Sequence, residues 1–121
     1  MLDHSAQLDS IFHALADPTR RAIVEQLGAG PQSVSEIAKP LDMTLAAVVQ
    51  HVQLLEDCHL ISTQKRGRVR TCQIRPETLK TLEGWQSQRR LQRQQHFDRL
   101  AAVLDEQAQI SKPRIRKRKR P

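Results

Sequence analysis

Two helical segments stand on either side of a short turn near the middle of the chain, and this pattern restricts the fold more than any other feature. The first is predicted over residues 35–39, with Ser35 as its N-cap and Pro40 as its end. The second is capped by Thr44 and runs to about Asp57. Its apolar side chains recur at helical spacing, namely Val48, Val52 and Leu55. A brief helix, a turn and a longer helix with a polar free side predict a helix-turn-helix.

Two further helices are predicted ahead of this pair. Asp17 and Pro18 separate them, because Asp17 suits the N-cap of the second helix and Pro18 suits its first residue. Gly28 and Pro31 then end that second helix. In the first helix the apolar residues recur at helical spacing, namely Leu8, Ile11, Phe12 and Leu15. The second helix is expected to bury Ala22, Ile23 and Leu27.

A β-hairpin is predicted directly after the helix-turn-helix. Residues 60–64 and 69–74 have the composition of strands, and Gly67 between them can adopt the positive φ that a hairpin tip requires. Four cations lie at this tip or beside it, namely Lys65, Arg66, Arg68 and Arg70. The hairpin is therefore predicted to form a wing with a positively charged tip.

A last helix is predicted from Pro76 to about Gln107, and its length exceeds what so small a core can cover. We therefore expect its apolar stripe to continue into a second copy of the chain. The residues expected at this contact are Leu8, Phe12, Trp85, Phe97, Leu100 and Leu104. The predicted fold class is mainly α with a β-hairpin wing, in the order α-α-α-α-β-β-α, and homodimeric.

Positive charge is concentrated at the end of the chain. Residues 112–121 hold seven of the 20 lysines and arginines and no acidic residue, so residues 1–111 carry 13 charges of each sign. The net charge of +7 therefore comes from this segment. We expect one winged helix-turn-helix domain over residues 1–107 and a disordered basic tail over residues 108–121. Such a tail favours a polyanionic partner.

Composition also indicates where the protein is located in the cell and which type of nucleic acid it binds. The chain has two cysteines, no apolar run of membrane-spanning length and no basic-then-apolar start, which predicts a soluble, cytoplasmic protein. Aromatic side chains are limited to Phe12, Trp85 and Phe97. Modules for single-stranded nucleic acid stack bases on such side chains, so their scarcity favours double-stranded DNA.

The expected DNA contacts lie on the second helix of the helix-turn-helix and on the wing. The helix would contribute Thr44, Leu45, Ala46, Val49, Gln50, His51 and Gln53. A glutamine amide can pair with N6 and N7 of adenine in the major groove, whereas His51 suits either a phosphate contact or packing against the preceding helix. The wing would contribute Lys65, Arg66, Arg68 and Arg70, which can contact flanking phosphates or a narrow minor groove.

Four blocks of sequence, in order and correctly spaced, give the chain a family resemblance. They are ALADPTRRAI at residues 14–23, SEIAKPL at 35–41, HVQLLE at 51–56 and RGR at 66–68. Together they resemble the ArsR-type (arsenic-repressor-like) winged-helix regulators over residues 8–106. In the last helix, Trp85 is followed by a stretch rich in Leu, Arg and Phe, which resembles the branch of that family without an evident metal site.

This resemblance implies a symmetric dimer, built chiefly from the first and last helices, that represses promoters. The chain departs from the family pattern in the second helix of the helix-turn-helix. Leu45, Val49 and Gln50 stand where the family usually carries a small polar residue, a serine and a basic residue. The bases that are read therefore do not follow from the resemblance.

Metal-binding and catalytic functions gain no support from the motifs. Arsenic-type sensors of the family carry thiolate ligands in the short helix before the turn, but residues 35–41 contain no cysteine. The last helix offers His96 and Asp98 without a second histidine spaced to complete a four-ligand site. No Gly-rich phosphate loop, nucleophile elbow or zinc-protease helix occurs. We therefore expect no metal, no cofactor and no enzymatic activity.

Two alternatives to a simple repressor remain open from the sequence. Leu45 and Val49 on the expected DNA side would suit a winged-helix protein-interaction module that has lost base readout. An unknown small-molecule inducer at the dimer interface, or a thiol signal, would instead make the chain a sensor repressor. The two cysteines, Cys58 and Cys72, are more typical of inert small apolar residues than of reactive thiols.

Overall fold

The computed structural model describes residues 4–111. Along these residues the order of elements is α1 (His4–Leu15), α2 (Pro18–Leu27), β1 (Gln32–Ser33), α3 (Val34–Ala38), α4 (Leu45–Asp57), β2 (Ile61–Arg66), β3 (Val69–Ile74) and α5 (Pro76–Ser111). The predicted class, mainly helical with a hairpin wing, is confirmed. Strand β1 was not predicted, because two residues are too few to show the alternation from which strands are recognised.

The starts of α2 and α4 are fixed by side-chain caps. Asp17 Oδ2 accepts a hydrogen bond from the backbone N–H of Arg20 at 3.0 Å, and Pro18 is the first residue of α2. Thr44 Oγ1 accepts one from the backbone N–H of Ala47 at 3.2 Å at the start of α4. Both predicted caps are confirmed. They could be predicted because each capping side chain accepts from a backbone N–H only three positions away.

The predicted cap of α3 was wrong by two residues. Ser33, not Ser35, is the N-cap: its Oγ accepts from the N–H of Glu36, and the Glu36 carboxylate accepts from the N–H of Ser33, both at 3.1 Å. The cause is the position of Glu36, three residues after Ser33, which completes a reciprocal capping box that Ser35 could not form.

The three strands form one antiparallel sheet in the order β1-β3-β2. Gln32 of β1 pairs with Cys72 of β3, and β2 pairs with β3 along its whole length. The hairpin is longer than predicted, because β2 continues to Arg66 instead of ending at residue 64. Gly67 at the tip has a φ of 61°, the left-handed conformation expected of it.

The core is formed by the helices and the inward side of the hairpin. Its fully buried side chains are Ile11, Ala14, Ile23, Ile37, Val48, Val52, Leu55, Ile61 and Cys72. In α1, Leu8 and Ile11 are buried, whereas Phe12 is 42% exposed. Ala22 of α2 is half-buried, whereas Ile23 and Leu27 lie in the core as predicted.

The chain divides after Gly84 into two units, and α5 contributes to both. The single domain predicted over residues 1–107 stays a prediction. Helix α5 ends at Ser111, later than the predicted end near Gln107. The predicted tail therefore begins inside this helix, and its residues 112–121 lie outside the described part of the chain. No helix within residues 4–111 is both long enough and apolar enough to cross a membrane.

Candidate DNA interface

Helix α4 divides into a buried side and an exposed side, since its apolar stripe is fully buried in the core. The exposed side carries the predicted contact residues: Thr44, Leu45, Ala46, Val49, Gln50 and Gln53 are exposed, and His51 is half-buried. Residues four apart share a side of a helix, so Leu45, Val49 and Gln53 form one row, and Ala46 and Gln50 form the row beside it.

The tip of the wing carries cations that other side chains leave uncompensated. Lys65, Arg66 and Arg68 are exposed, and within residues 4–111 none of them forms an ion pair. Their positive field is therefore available to an external anion. Arg70 differs from these three because it is half-buried and faces α4.

A groove of about 650 Å³ is lined by α4, the wing and residues 33–35 at the start of α3. Leu45 and Val49 line it from α4, and the wing lines it with Lys65, Arg68, Val69 and Arg70. The structure thus brings two separately predicted sets of contact residues, from the helix and from the hairpin, onto one continuous surface. Gln50 lies outside this groove, in the neighbouring row of α4.

A hydrogen-bond network ties the wing to α4, and no sequence pattern indicated it. Arg70 Nη2 donates to Glu56 Oε2 at 3.0 Å and lies 3.3 Å from Gln53 Oε1, to which it also donates. The hydroxyl of Thr63 donates to the same Glu56 oxygen. Gln53 Nε2 donates to Asp57 Oδ1 at 2.9 Å, so both ends of the Gln53 amide are engaged. Arg70 thereby holds strand β3 against α4.

His51 packs toward the start of α2. Its Nδ1 lies 3.9 Å from Oδ2 of Asp17, the residue that caps α2. The hydrogen bond from the N–H of Arg20, together with the nearby charges of Arg20 and His51, holds the pKa of Asp17 below its ordinary value of 3.8. This geometry favours the packing role of His51 over a phosphate contact.

The residues predicted at the subunit contact differ in how much of each side chain is exposed. Leu8 is buried in the core of its own chain, so it offers little surface to a partner, whereas Phe12 of α1 is exposed. In α5, Trp85 is half-buried beneath the Arg89 guanidinium, 5.7 Å from the ring centre. The exposed apolar residues along α5 are Leu91, Phe97, Leu100, Val103, Leu104 and Ile110.

Neither cysteine is placed as a reactive thiol. Cys72 is fully buried in β3 and Cys58 is half-buried at the end of α4. Burial raises the pKa of both thiols above their ordinary value, which lowers the fraction of reactive thiolate. Within residues 4–111, no three His, Cys, Asp or Glu side chains come together in a group that could hold a metal ion.

The helix pair α3 and α4, followed by a hairpin with a cationic tip, defines a winged helix-turn-helix protein. Residues 15–63 match a family model described as a helix-turn-helix domain. The ArsR family transcriptional regulator RHA00566, which has a crystal structure, is 46% identical in sequence to this chain. The TM-score between the two structures is 0.70. The alignment covers 78% of this chain and 97% of that one. The chain belongs to the ArsR family, so it is a DNA-binding transcriptional regulator.

Two curated relatives agree with this assignment. The HTH-type transcriptional regulator Rv2034 of Mycobacterium tuberculosis is 42% identical over 74 residues, which span 61% of this chain and 69% of that protein. The transcriptional repressor SdpR of Bacillus subtilis is 28% identical over 61 residues, which span 50% of this chain and 68% of that protein.

Proposed function

We propose that this regulator is a homodimeric repressor that reads duplex DNA with α4 in the major groove and places its wing on the flanking phosphates. The observation that carries the proposal is the shared surface of α4 and the wing, where Leu45 and Val49 lie in one groove with Lys65 and Arg68. A recognition helix uses its N-terminal residues to contact base edges. A cationic hairpin beside it can then neutralise the neighbouring phosphates.

Two observations support the remaining parts of the proposal. Phe97, Leu100 and Leu104 lie on one side of α5 and are all exposed in the single chain, which suits a subunit contact. A dimer of this kind would present two copies of α4 to a two-fold symmetric operator. Repression is favoured because one relative, SdpR, is named a repressor.

The wing is tested through the salt dependence of DNA binding. We expect Arg66→Ala and Arg68→Ala each to reduce the slope of log affinity against log salt by about one, because each removes a phosphate contact that releases counterions. The affinity for selected and random duplexes should fall by similar factors, since phosphates carry no sequence information. Fluorescence anisotropy with both duplexes at several salt concentrations measures this.

Arg75→Ala is the matched control for the wing variants. Arg75 is an exposed arginine that follows Ile74, at the end of β3 opposite the tip. Its replacement should leave the slope unchanged, whereas unchanged slopes for Arg66→Ala and Arg68→Ala would exclude the wing from the interface.

A folded dimer that shifts no promoter fragment at low salt would favour a protein-interaction module instead.

Repression is tested separately, with a reporter driven by the region upstream of the chain's own coding sequence. We expect reporter output to rise when the gene is deleted and to fall again when it is restored. A variant that carries both Arg66→Ala and Arg68→Ala should restore repression only partly, because repression requires occupancy of the operator. A fall in reporter output on deletion would identify an activator.

A further inference from the structure

We propose that Leu45 and Val49 are specificity-determining residues that read the methyl groups of thymine, so that the operator carries A·T pairs where the first turns of α4 enter the major groove. This inference rests on the proposed function, since it requires α4 to occupy that groove. It assigns a base preference to the exposed side of α4. The sequence motifs did not explain why this side carries apolar residues.

The position of the two side chains is the first argument. Leu45 is the first residue of α4, and Val49 follows one turn later in the same row. Leu45 is 54% exposed and Val49 is 37% exposed, although the apolar stripe of the same helix is fully buried. Both therefore lie on the part of a recognition helix that comes closest to base edges.

The charges around the two side chains favour DNA over an apolar protein partner. Lys65, Arg68 and Arg70 line the same groove as Leu45 and Val49. Lys65 and Arg68 are exposed and form no ion pair among the described residues. Apolar side chains that share a groove with uncompensated cations complement the major groove, in which base edges lie between two rows of phosphates.

The chemistry of the groove then selects the base. Of the four bases, thymine alone presents an apolar group there, its C5-methyl, whereas the others present only hydrogen-bond donors and acceptors. A leucine or valine against either pair covers polar edge atoms, but only an A·T pair also offers a methyl group that the apolar side chain can bury, which favours A·T over G·C pairs. Gln50, in the next row of α4, can pair with an adenine, so both rows favour A·T pairs.

Deoxyuridine scanning tests the proposal, because deoxyuridine differs from thymidine only by the absent C5-methyl group. A preferred duplex is first selected from a random pool with the unmodified protein, and each thymidine is then replaced in turn. We expect at least one thymine in each half-site at which replacement weakens binding about fourfold, the fold-change that corresponds to burial of one methyl group. Anisotropy titration at fixed salt measures the change.

Protein variants assign each sensitive thymine to a side chain. Leu45→Ala and Val49→Ala should each abolish the deoxyuridine sensitivity only of the thymine that the replaced side chain contacts. Both variants should fold, because the side chains are exposed and alanine favours helix. Ile110→Ala, which removes an exposed aliphatic side chain near the end of α5, is the control and should retain every sensitivity.

The outcomes separate this inference from the proposed function. If the selected duplex is bound in preference to random DNA but no uridine replacement weakens binding, the methyl readout is wrong and the proposed function stands. If uridine effects appear and persist in both variants, other side chains read the methyl groups and the assignment to Leu45 and Val49 is wrong. If no sequence is preferred over random DNA, the proposed sequence-specific function itself fails.

Discussion

Arg70 in the second strand of the wing donates a hydrogen bond to Glu56 of α4 across 3.0 Å, and this contact joins the two elements that form the candidate DNA interface. Both side chains are partly exposed, so the pair itself stabilises the fold only modestly, by up to about 1 kcal/mol. Its larger consequence is positional, because it sets where the wing lies beside the recognition helix. It also neutralises one of the four cations that the sequence assigns to DNA.

We predict that Arg70→Ala reduces the salt slope of DNA binding by clearly less than Arg68→Ala does. The reason is that Glu56 already compensates the charge of Arg70, whereas Arg68 forms no ion pair among the described residues. Conversely, Glu56→Gln should steepen the slope by up to about one, because it frees Arg70. Equal losses of slope for Arg70→Ala and Arg68→Ala would show that Arg70 leaves Glu56 when DNA binds.

The two glutamines of α4 should differ in their effect on base preference. Gln53 would have to give up hydrogen bonds to Asp57 and Arg70 before pairing with a base, whereas Gln50 is exposed and makes no hydrogen bond within residues 4–111. Gln50→Ala should therefore cost about 1–3 kcal/mol of discrimination at one adenine, and Gln53→Ala should cost less. Titrations with 7-deazaadenine at each adenine measure this, and the opposite order would reverse the assignment.

Local sequence determined the features that were predicted correctly. Asp17 and Thr44 cap their helices through backbone groups three residues away, and Gly67 meets a requirement of the hairpin tip itself. The pairing of Arg70 with Glu56 joins residues 14 apart in different elements, so no local pattern encodes it. Phe12 fits the apolar spacing of α1 as well as Ile11 does, and only the packing of neighbouring elements leaves one exposed and the other buried.

Assembly through α5 is tested by matched charge substitutions on its two sides. Leu100 and Leu91 are both exposed, but they lie nine positions apart, which places them on nearly opposite sides of α5. Leu100→Asp should convert a micromolar dimer to a monomer, because it buries an unpaired charge in the proposed contact. Leu91→Asp should leave the dimer intact. Sedimentation velocity distinguishes the two, and a monomeric unmodified chain would exclude the proposed assembly.

The capping carboxylates make stability depend on acidic pH. Hydrogen bonds from the N–H groups of Arg20 and Ser33 lower the pKa values of Asp17 and Glu36 below their ordinary values of 3.8 and 4.5. The unfolded chain therefore binds more protons just below these values, so the free energy of unfolding should decrease as pH falls through that range.

Asp17→Asn and Glu36→Gln should flatten this acid dependence, because the amides keep their capping hydrogen bonds but do not titrate. Urea denaturation followed by circular dichroism between about pH 3 and pH 6 measures the free energy of unfolding in this range. Asp105→Asn, within α5 and away from a helix start, is the control. An acid dependence as steep as that of the unmodified chain would contradict the role given to the caps.

Deletion of residues 112–121 separates the two sources of positive charge. This segment holds seven cations and no acid, while the fold described above ends at Ser111, so the truncated chain should remain folded and dimeric. Its affinity at low salt should fall for selected and random duplexes alike, with the difference closing as salt rises, because the lost contacts are to phosphates.

A tail of the same ten residues in scrambled order is the control for that deletion, because it keeps the charge and changes only the sequence. It should restore the low-salt affinity, since neutralisation of phosphates requires cations but no particular order of residues. Competition titrations with selected and random duplexes measure both affinity and discrimination. If truncation abolished the discrimination between the two duplexes and the scrambled tail failed to restore it, the tail would be reading a groove. The assignment of base readout to α4 would then be wrong.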